Sequence, residues 1–178
     1  MRDLYLHDKI FEPYISKAEI DVAVNRLASE MVRAIPTEDT VFICVLKGAF
    51  MFFSDLMKQL GSGGRQEFIF AKSYAGTQST GKVWLSELNA DALSGQRVVL
   101  VEDIVDTGLT VNYLAGRIQE AGPLSLHICT FLFKAEVYRG LRTIDFKGLT
   151  IPNYFVVGYG LDYEEKGRSL PEIFKLKG

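Results

Sequence analysis

Three short segments dominated by apolar residues most constrain what this chain can fold into. Residues 41–46 and 97–104 are rich in β-branched side chains and lack the regular polar alternation of a half-exposed strand, and residues 124–133 form a further apolar segment that predicts a strand. Such segments are typical of strands buried on both faces of a parallel sheet. Helical patterns lie between them, and this alternation predicts an α/β domain with a mostly parallel central sheet flanked by helices.

The helices have recognisable start and stop signals. Ser16 and Glu19 have the spacing of a capping box, and apolar residues then recur at helical intervals until Pro36. Two further helices are predicted at 49–60 and at about 110–121. Shorter strands are predicted at 67–71, 83–88 and 154–159.

The two ends of the sequence differ from its middle. Residues 1–15 and 160–178 show no clear core pattern, and we expect them to form a small hood over the carboxyl edge of the sheet. The chain is therefore predicted to be a single domain over residues 1–178, with its core at about 16–159.

Composition excludes several classes of partner and site. The net charge is −2, which argues against a dedicated nucleic-acid or membrane-surface binder. Cys44 and Cys129 lie in apolar segments and lack zinc-site spacing, so we expect reduced, buried core residues. The first residues show no signal-peptide pattern and no segment approaches the length of a membrane span, so the expected location is the cytoplasm.

Residues 98–110 carry the strongest chemical signal. An apolar strand runs into Glu102 and Asp103, then into an Asp-Thr-Gly turn at 106–108 and the start of a helix. Ligands of open α/β sheets bind beyond the carboxyl ends of strands, and a glycine turn before a helix N-terminus suits a phosphate group. The hydroxyls of Thr107 and Thr110 add donors, while the two carboxylates suit the hydroxyls of a ribose. The whole segment therefore predicts a site for ribose 5-phosphate, although an isolated Asp-Thr-Gly is common turn chemistry.

Residues 101–110 also resemble the motif with which the phosphoribosyltransferase family binds phosphoribosyl pyrophosphate (PRPP). More narrowly, the chain resembles the hypoxanthine(-guanine) phosphoribosyltransferases along nearly its whole length. Further segments carry this resemblance: 46–48, 72–74, 79–81, 133–134 and 154–163. The resemblance implies a type I phosphoribosyltransferase fold and a magnesium-dependent enzyme of purine salvage, which joins hypoxanthine, and guanine, to the phosphoribosyl group of PRPP.

The resemblance also implies a role for each matching residue. It assigns the ribose hydroxyls to Glu102 and Asp103, and the 5-phosphate to the loop of Asp106, Thr107, Gly108, Leu109 and Thr110. Asp106 is in addition the candidate general base. The resemblance assigns the pyrophosphate group to Lys47, Gly48 and Arg168. A cis peptide bond is expected between Leu46 and Lys47.

The resemblance assigns the binding of the purine base to a second group of residues. Lys134 is expected to donate to a 6-oxo group, and since a lysine only donates hydrogen bonds, it disfavours a 6-amino group. The other base contacts implied by the resemblance are Phe155, Val156 and Asp162. The implied magnesium ligands are Glu102, Asp103 and Asp162, and Ser73 and Tyr74 begin a polar loop, 73–82, expected to close over the site.

Two departures from the family pattern affect these expectations. Leu109 stands where some relatives carry lysine, so the 5-phosphate is expected to rely more on backbone and hydroxyl donors. Residues 164–167 replace a more aromatic stretch, which leaves the preference between hypoxanthine and guanine open. Residues 49–60 carry more apolar side chains than one buried face requires, which predicts a homodimer or homotetramer.

Other functions fit the sequence less well. Residues 76–82 nearly match a P-loop, but Val83 replaces the serine or threonine that would hold magnesium. Aspartic proteases pair two Asp-Thr-Gly carboxylates in an all-β fold, whereas here the triplet precedes a helix. A PRPP-sensing regulator, or an enzyme that prefers xanthine or adenine, remains the alternative.

Overall fold

The computed structural model describes residues 2–61, 63–73, 83–85 and 88–178, with the backbone alone at 72, 73 and 83–85. The strands are β1 (Leu4–Leu6), β2 (Lys9–Ile15), β3 (Thr40–Leu46), β4 (Arg65–Ser73), β5 (Val83–Leu85), β6 (Arg97–Val105), β7 (Ser125–Phe133), β8 (Phe146–Thr150), β9 (Val156–Val157) and β10 (Ile173–Leu176). The helices are α1 (Lys17–Ala34), α2 (Phe50–Leu60), α3 (Ala90–Leu93) and α4 (Leu109–Glu120), with a 3-10 turn at Thr37–Asp39. Of the predicted loop at 73–82, Tyr74 and the residues after it lie outside the described residues.

A six-stranded sheet forms the centre of the molecule. Its strand order is β5-β4-β3-β6-β7-β8. The five strands from β4 to β8 in this order are parallel, and β5 runs antiparallel to β4 at one edge. The predicted α/β fold with a mostly parallel sheet is confirmed, and β8 is the strand of this sheet that the sequence analysis did not predict.

Helices cover both faces of this sheet. Successive residues of β3 point to opposite faces, so Phe42 and Cys44 pack with α1 and α2, while Val41 and Ile43 pack with α4. Strands covered on both faces need apolar residues at every position, which explains the runs seen in the sequence. Cys44 and Cys129 are both buried and free, as predicted.

Helix α1 begins at the predicted capping box. The Ser16 hydroxyl accepts a hydrogen bond from the Glu19 backbone N–H at 3.3 Å, and the Glu19 carboxylate accepts one from the Ser16 backbone N–H at 2.8 Å. These two bonds satisfy N–H groups that have no partner inside the helix. The helix ends before Pro36, where the pattern of apolar residues also ends.

A second, four-stranded antiparallel sheet combines residues from both ends of the sequence. Its order is β1-β2-β10-β9, and Phe11, Val157 and Phe174 form its small core. This sheet is the predicted hood. Strand β9 is shorter than the predicted strand at 154–159 and pairs with β10 in the hood, not with the central sheet.

The segment after β9 holds the hood against the central sheet. Gly160 has a φ of +101°, and a Cβ atom at this position would overlap the carbonyl oxygen of Gly48, in the loop after β3. Only glycine permits this approach, because it has no Cβ and tolerates a positive φ. The chain from β9 therefore lies directly on the loop at the carboxyl end of β3.

No helix in the described part of the chain is both long and apolar enough to span a lipid bilayer.

The contact between Gly160 and Gly48 predicts a costly substitution. Gly160→Ala should lower the free energy of unfolding by roughly 2–4 kcal/mol, since it adds backbone strain to a steric overlap with a backbone oxygen. Gly116→Ala is the matched control: Gly116 lies inside α4, open space surrounds its missing Cβ, and alanine there should stabilise by up to about 1 kcal/mol. Urea unfolding of both variants measures the difference, and equal stabilities would contradict the packing described here.

Candidate active site

A cleft of about 790 Å³ opens at the carboxyl ends of β3 and β6. It is lined by the ends of these two strands and the turns that follow them, by Ala71 of β4, by the first turn of α4 and by the chain after β9. The predicted site residues among its lining are Lys47, Gly48, Glu102, Asp103, Asp106, Thr107, Gly108, Leu109, Thr110, Asp162 and Arg168. The parallel sheet brings them together because the carboxyl ends of its strands lie along one edge.

Two adjacent carboxyl groups lie at the floor of the cleft. Burial raises the pKa of Asp103 to about 6, although hydrogen bonding and the positive charge of Arg168 counteract it. Burial and the neighbouring Asp103 raise the pKa of Glu102 well above its ordinary value. The Asp103 carboxylate accepts a hydrogen bond from the Ile104 backbone N–H at 2.6 Å. A pair of acids in this state favours a ligand that brings hydroxyl donors or positive charge.

The loop after β3 touches this acidic pair. The peptide bond between Leu46 and Lys47 is cis, as predicted. A Cβ atom on Gly48 would overlap the Asp103 carboxylate, so only glycine lets the loop approach so closely. The backbone of residues 46–48 thus borders the same space as the acids.

The turn between β6 and α4 is a ready anion site. Gly108, with φ +88°, is the N-cap of α4 and makes no side-chain cap. The first N–H groups of a helix have no partner within it and carry the positive end of the helix dipole. Thr107 and Thr110 supply hydroxyls beside them, while Leu109 is 58% exposed and contributes backbone alone. The predicted phosphate loop therefore has the donors that it requires.

Lys134 lies just beyond β7 and is almost fully buried. Its ammonium group donates to the Asp106 carboxylate and to the side-chain oxygen of Asn153, both at 3.1 Å. An ammonium group has three hydrogens, so one remains for a ligand. Asn153 is not among the residues predicted from the sequence: it precedes the matched segment at 154–163, and its contact with Lys134 depends on tertiary structure.

A phosphoribosyl transferase domain model matches residues 16–164. The chain belongs to the phosphoribosyltransferase family. It is 34% identical over 178 residues to the hypoxanthine-guanine-xanthine phosphoribosyltransferase of Tritrichomonas foetus, covering 99% of this chain and 97% of that one. It is also 34% identical over 173 residues to the hypoxanthine-guanine phosphoribosyltransferase of Streptococcus pneumoniae R6, covering 97% and 96%.

Solved structures of this family have the same fold. The hypoxanthine-guanine phosphoribosyltransferase of Bacillus anthracis superimposes with a TM-score of 0.84 at 37% identity, covering 93% of this chain and 98% of that one. The hypoxanthine phosphoribosyltransferase of Trypanosoma cruzi gives 0.86 at 33% identity, covering 98% and 95%. The resemblance to hypoxanthine(-guanine) phosphoribosyltransferases and the type I phosphoribosyltransferase fold are confirmed.

Of the four predicted base contacts, Asp162 lines the cleft described above and Lys134, Phe155 and Val156 do not; the last two lie in a different part of the fold. Phe155 is 46% exposed and packs its ring near those of Phe11 and Tyr163. Val156 is buried in β9, the edge strand of the hood, where it pairs with Lys175. The structure thus places them in the hood.

The chain after β9 brings a group of charges to the cleft. Arg168 forms an ion pair with Asp162 at 2.7 Å and donates to the Gly160 carbonyl oxygen at 2.9 Å. Glu165 has no role predicted from the sequence, yet its carboxylate lies 3.1 Å from the Lys47 ammonium and 3.6 Å from the Arg168 guanidinium. These neighbours, Lys47 first, hold the pKa of Glu165 below its ordinary value.

The raised pKa of Asp103 predicts a pH dependence of stability. Its carboxyl keeps a proton up to about pH 6 in the folded protein, against an ordinary value of 3.8. Between these pH values the folded state binds more protons than the unfolded state, so the contribution of Asp103 to the free energy of unfolding falls as pH rises. Asparagine does not ionise. The stability of Asp103→Asn relative to the wild type should therefore rise between pH 4 and pH 7, by on the order of 2 kcal/mol.

Urea unfolding in metal-free buffer at pH 4, 5, 6 and 7 measures this difference. Asp39→Asn is the control, because it removes the same charge from an exposed position. A relative stability of Asp103→Asn that stays constant with pH, or an equal rise in the control, would contradict the assignment.

Proposed function

We propose that this chain is a purine-salvage enzyme that transfers the 5-phosphoribosyl group of PRPP to N9 of hypoxanthine, and of guanine, releasing IMP or GMP and pyrophosphate. The observation that carries the proposal is the convergence, in one cleft, of an acidic pair, a helix N-terminus after a glycine turn, and the cations Lys47 and Arg168. The two relatives described above, which are similar over nearly the whole chain, support the choice of base.

In this proposal each part of PRPP meets a group of matching chemistry. Glu102 and Asp103 accept hydrogen bonds from the ribose hydroxyls. Residues 106–110 donate to the 5-phosphate, which carries negative charge and suits the helix N-terminus. Lys47, the Gly48 backbone and Arg168 hold the pyrophosphate. The Arg168 Nε atom is buried and has no hydrogen-bond partner among the described residues, so it is available to an anion.

Magnesium is part of the proposal, with Glu102, Asp103 and Asp162 as the residues that would hold it, directly or through water. No group of three or more acidic, histidine or cysteine side chains in the described part of the chain could hold a metal alone. That fits a magnesium ion, which binds few carboxylates and completes its shell with water and substrate oxygens. The pKa values of the two acids stay raised despite the charge of Arg168, so the positive charge of such an ion would stabilise their charged forms. When bound, magnesium neutralises charge on the departing pyrophosphate.

The bond to pyrophosphate breaks at C1 of the ribose, and N9 of the base forms the new bond at the same carbon. Lys47 and Arg168 stabilise the pyrophosphate as its negative charge grows. Asp106 lies in the cleft and accepts the proton that N7 of the base gives up. Lys134 donates its third hydrogen to O6 of the base, while Phe155 stacks on the ring and the backbone of Val156 meets its edge.

The helix α2 supports the proposed homodimer or homotetramer. Its buried face packs on the central sheet, but Phe50 at its start is 41% exposed. Phe68, on strand β4, is 55% exposed, and its ring packs against that of Phe53 in the same helix, 5.5 Å between ring centroids. Exposed aromatic side chains grouped in this way are typical of interfaces. The proposed location is the cytoplasm.

The deciding experiment is a product assay with PRPP and Mg²⁺, offering hypoxanthine, guanine, xanthine, adenine and uracil in parallel. We expect IMP and GMP, lost when a chelator removes magnesium, and little AMP. The Tritrichomonas foetus relative makes xanthine a necessary test substrate. Binding of PRPP without nucleotide formation from any base would favour a PRPP-sensing regulator instead.

A substitution at Lys134 tests the proposed basis of base selection. Lys134→Gln replaces a buried ammonium group with an amide that both donates and accepts. The kcat/KM for hypoxanthine should fall roughly 10- to 100-fold, as for a lost hydrogen bond to a charged group, and the ratio of hypoxanthine to adenine use should fall with it. Lys58→Gln, on the exposed face of α2, is the control. An unchanged ratio in Lys134→Gln would remove Lys134 from base selection.

A further inference from the structure

The carboxylate of Glu165 pairs with Lys47 and Arg168, the two cations to which the pyrophosphate of PRPP is assigned. The Glu165 carboxylate is 3.1 Å from the Lys47 ammonium and 3.6 Å from the Arg168 guanidinium. It accepts a hydrogen bond from Lys47 and lines the cleft beside both cations. The Glu165 carboxylate therefore lies where the pyrophosphate group of PRPP is proposed to bind.

The local backbone holds Glu165 in this position. Residues Glu164 and Glu165 both have positive φ angles, +48° and +64°, an uncommon conformation for residues other than glycine. The Glu165 N–H donates to the Asp162 carboxylate at 2.8 Å, and Tyr163 and Lys166 bond to each other across the turn. The turn directs adjacent acids to different partners: Glu165 meets Lys47 and Arg168, whereas Glu164 approaches His7 at 3.9 Å.

These contacts are weak enough for a ligand to replace. The Glu165 side chain is 63% exposed, and solvent screens an ion pair of this kind. Pyrophosphate carries more charge than one carboxylate and presents several acceptor oxygens, so it makes more charge-assisted hydrogen bonds to the same cations. The carboxylate and a pyrophosphate oxygen cannot accept the same hydrogen, and their negative charges repel each other when both lie beside these cations.

We propose that Glu165 is an internal competitor of the pyrophosphate group: it pairs with Lys47 and Arg168 in the empty cleft and must leave them before PRPP or pyrophosphate binds. This inference rests on the proposed function, and it adds a residue that sets affinity for one part of the substrate. Competition lowers the affinity for PRPP and favours release of pyrophosphate. It does not affect a ligand that lacks the pyrophosphate group.

The test compares the binding of three ligands, in the presence of Mg²⁺, to the wild type, Glu165→Gln and Glu164→Gln. Isothermal titration calorimetry with pyrophosphate, PRPP and IMP measures each dissociation constant. Glu165→Gln should tighten pyrophosphate and PRPP binding by about threefold to tenfold, the range expected for losing one or two exposed ion pairs to a competing carboxylate. The affinity for IMP should stay unchanged.

Glu164→Gln is the matched control, because it removes the same charge one residue away without touching either cation. Glu165→Ala should reproduce the effect of Glu165→Gln, since both remove the carboxylate. The KM for PRPP should fall in both Glu165 variants by a similar factor. Thermal unfolding checks that all variants are folded.

Three results would overturn the inference. Weaker or equal pyrophosphate binding in Glu165→Gln would show that Glu165 positions the cations and does not compete for them. Equal tightening in Glu164→Gln, or equal tightening for IMP, would reduce the effect to net charge. A wild type that binds neither PRPP nor pyrophosphate would overturn the proposed function itself, and this outcome is distinct from the others.

Discussion

Two adjacent carboxyl groups at the end of β6, Glu102 buried and Asp103 partly buried, determine how the rest of the cleft is built. Burying Glu102 and Asp103 disfavours their charged forms, as their raised pKa values show. The surrounding chain reduces this cost with backbone N–H donors and the positive charge of Arg168. It also leaves no room for a side chain at Gly48, whose backbone lies against Asp103. A site that is costly in the empty protein is therefore ready for a ligand that supplies hydroxyl groups and a cation.

The same constraint links the two sheets. Because Gly48 must lie against Asp103, the loop after β3 is fixed, and its carbonyl oxygen meets Gly160 in the segment that leaves the hood. That segment then carries Asp162 and Arg168 to the cleft. Two close backbone approaches, each requiring a glycine, thus connect the acids of the central sheet to the charges of the hood. The hood also packs on the main core, which contains Ile15, Val156 and Ile173 from its strands beside residues of the central sheet.

The features predicted from sequence are those with a local cause. Residues 41–46 could be recognised as a buried strand because each position packs on one or other face of the sheet, and the capping box of α1 is complete within four residues. The turn at 106–108 is similar, since its glycine has a positive φ and opens a helix. The cis bond at Leu46–Lys47 came from family resemblance, because nothing in its own residues requires it.

The missed features depend on contacts between distant segments. Strand β8 has five residues and a glycine at its centre, so its pattern is too short to distinguish from a loop. Strand β9 reads as another core strand because Val156 and Val157 are buried, and only its pairing with β10 places it in the hood. Glu165 and Asn153 contact residues 118 and 19 positions away along the chain. No spacing rule within the sequence relates them to Lys47 or Lys134.

Three described cations, Lys47 and Arg168 in the cleft and Lys134 beside Asp106, are each paired with an acid, and the pairs differ in what a substrate must do to them. A cation left unpaired in a partly buried site would be costly, so pairing keeps the empty cleft stable. The pairs, with their distances, are Lys134–Asp106 (3.1 Å), Arg168–Asp162 (2.7 Å) and Lys47–Glu165 (3.1 Å). Lys134 keeps one hydrogen for a base, and Arg168 keeps its Nε–H for an anion, so these two pairs can remain as the substrates bind. Asp106 and Asp162 also have proposed tasks of their own. Glu165 has no proposed task other than its pairing with these cations. When pyrophosphate binds, it replaces the Glu165 carboxylate, and this is the ion pair that substrate binding breaks.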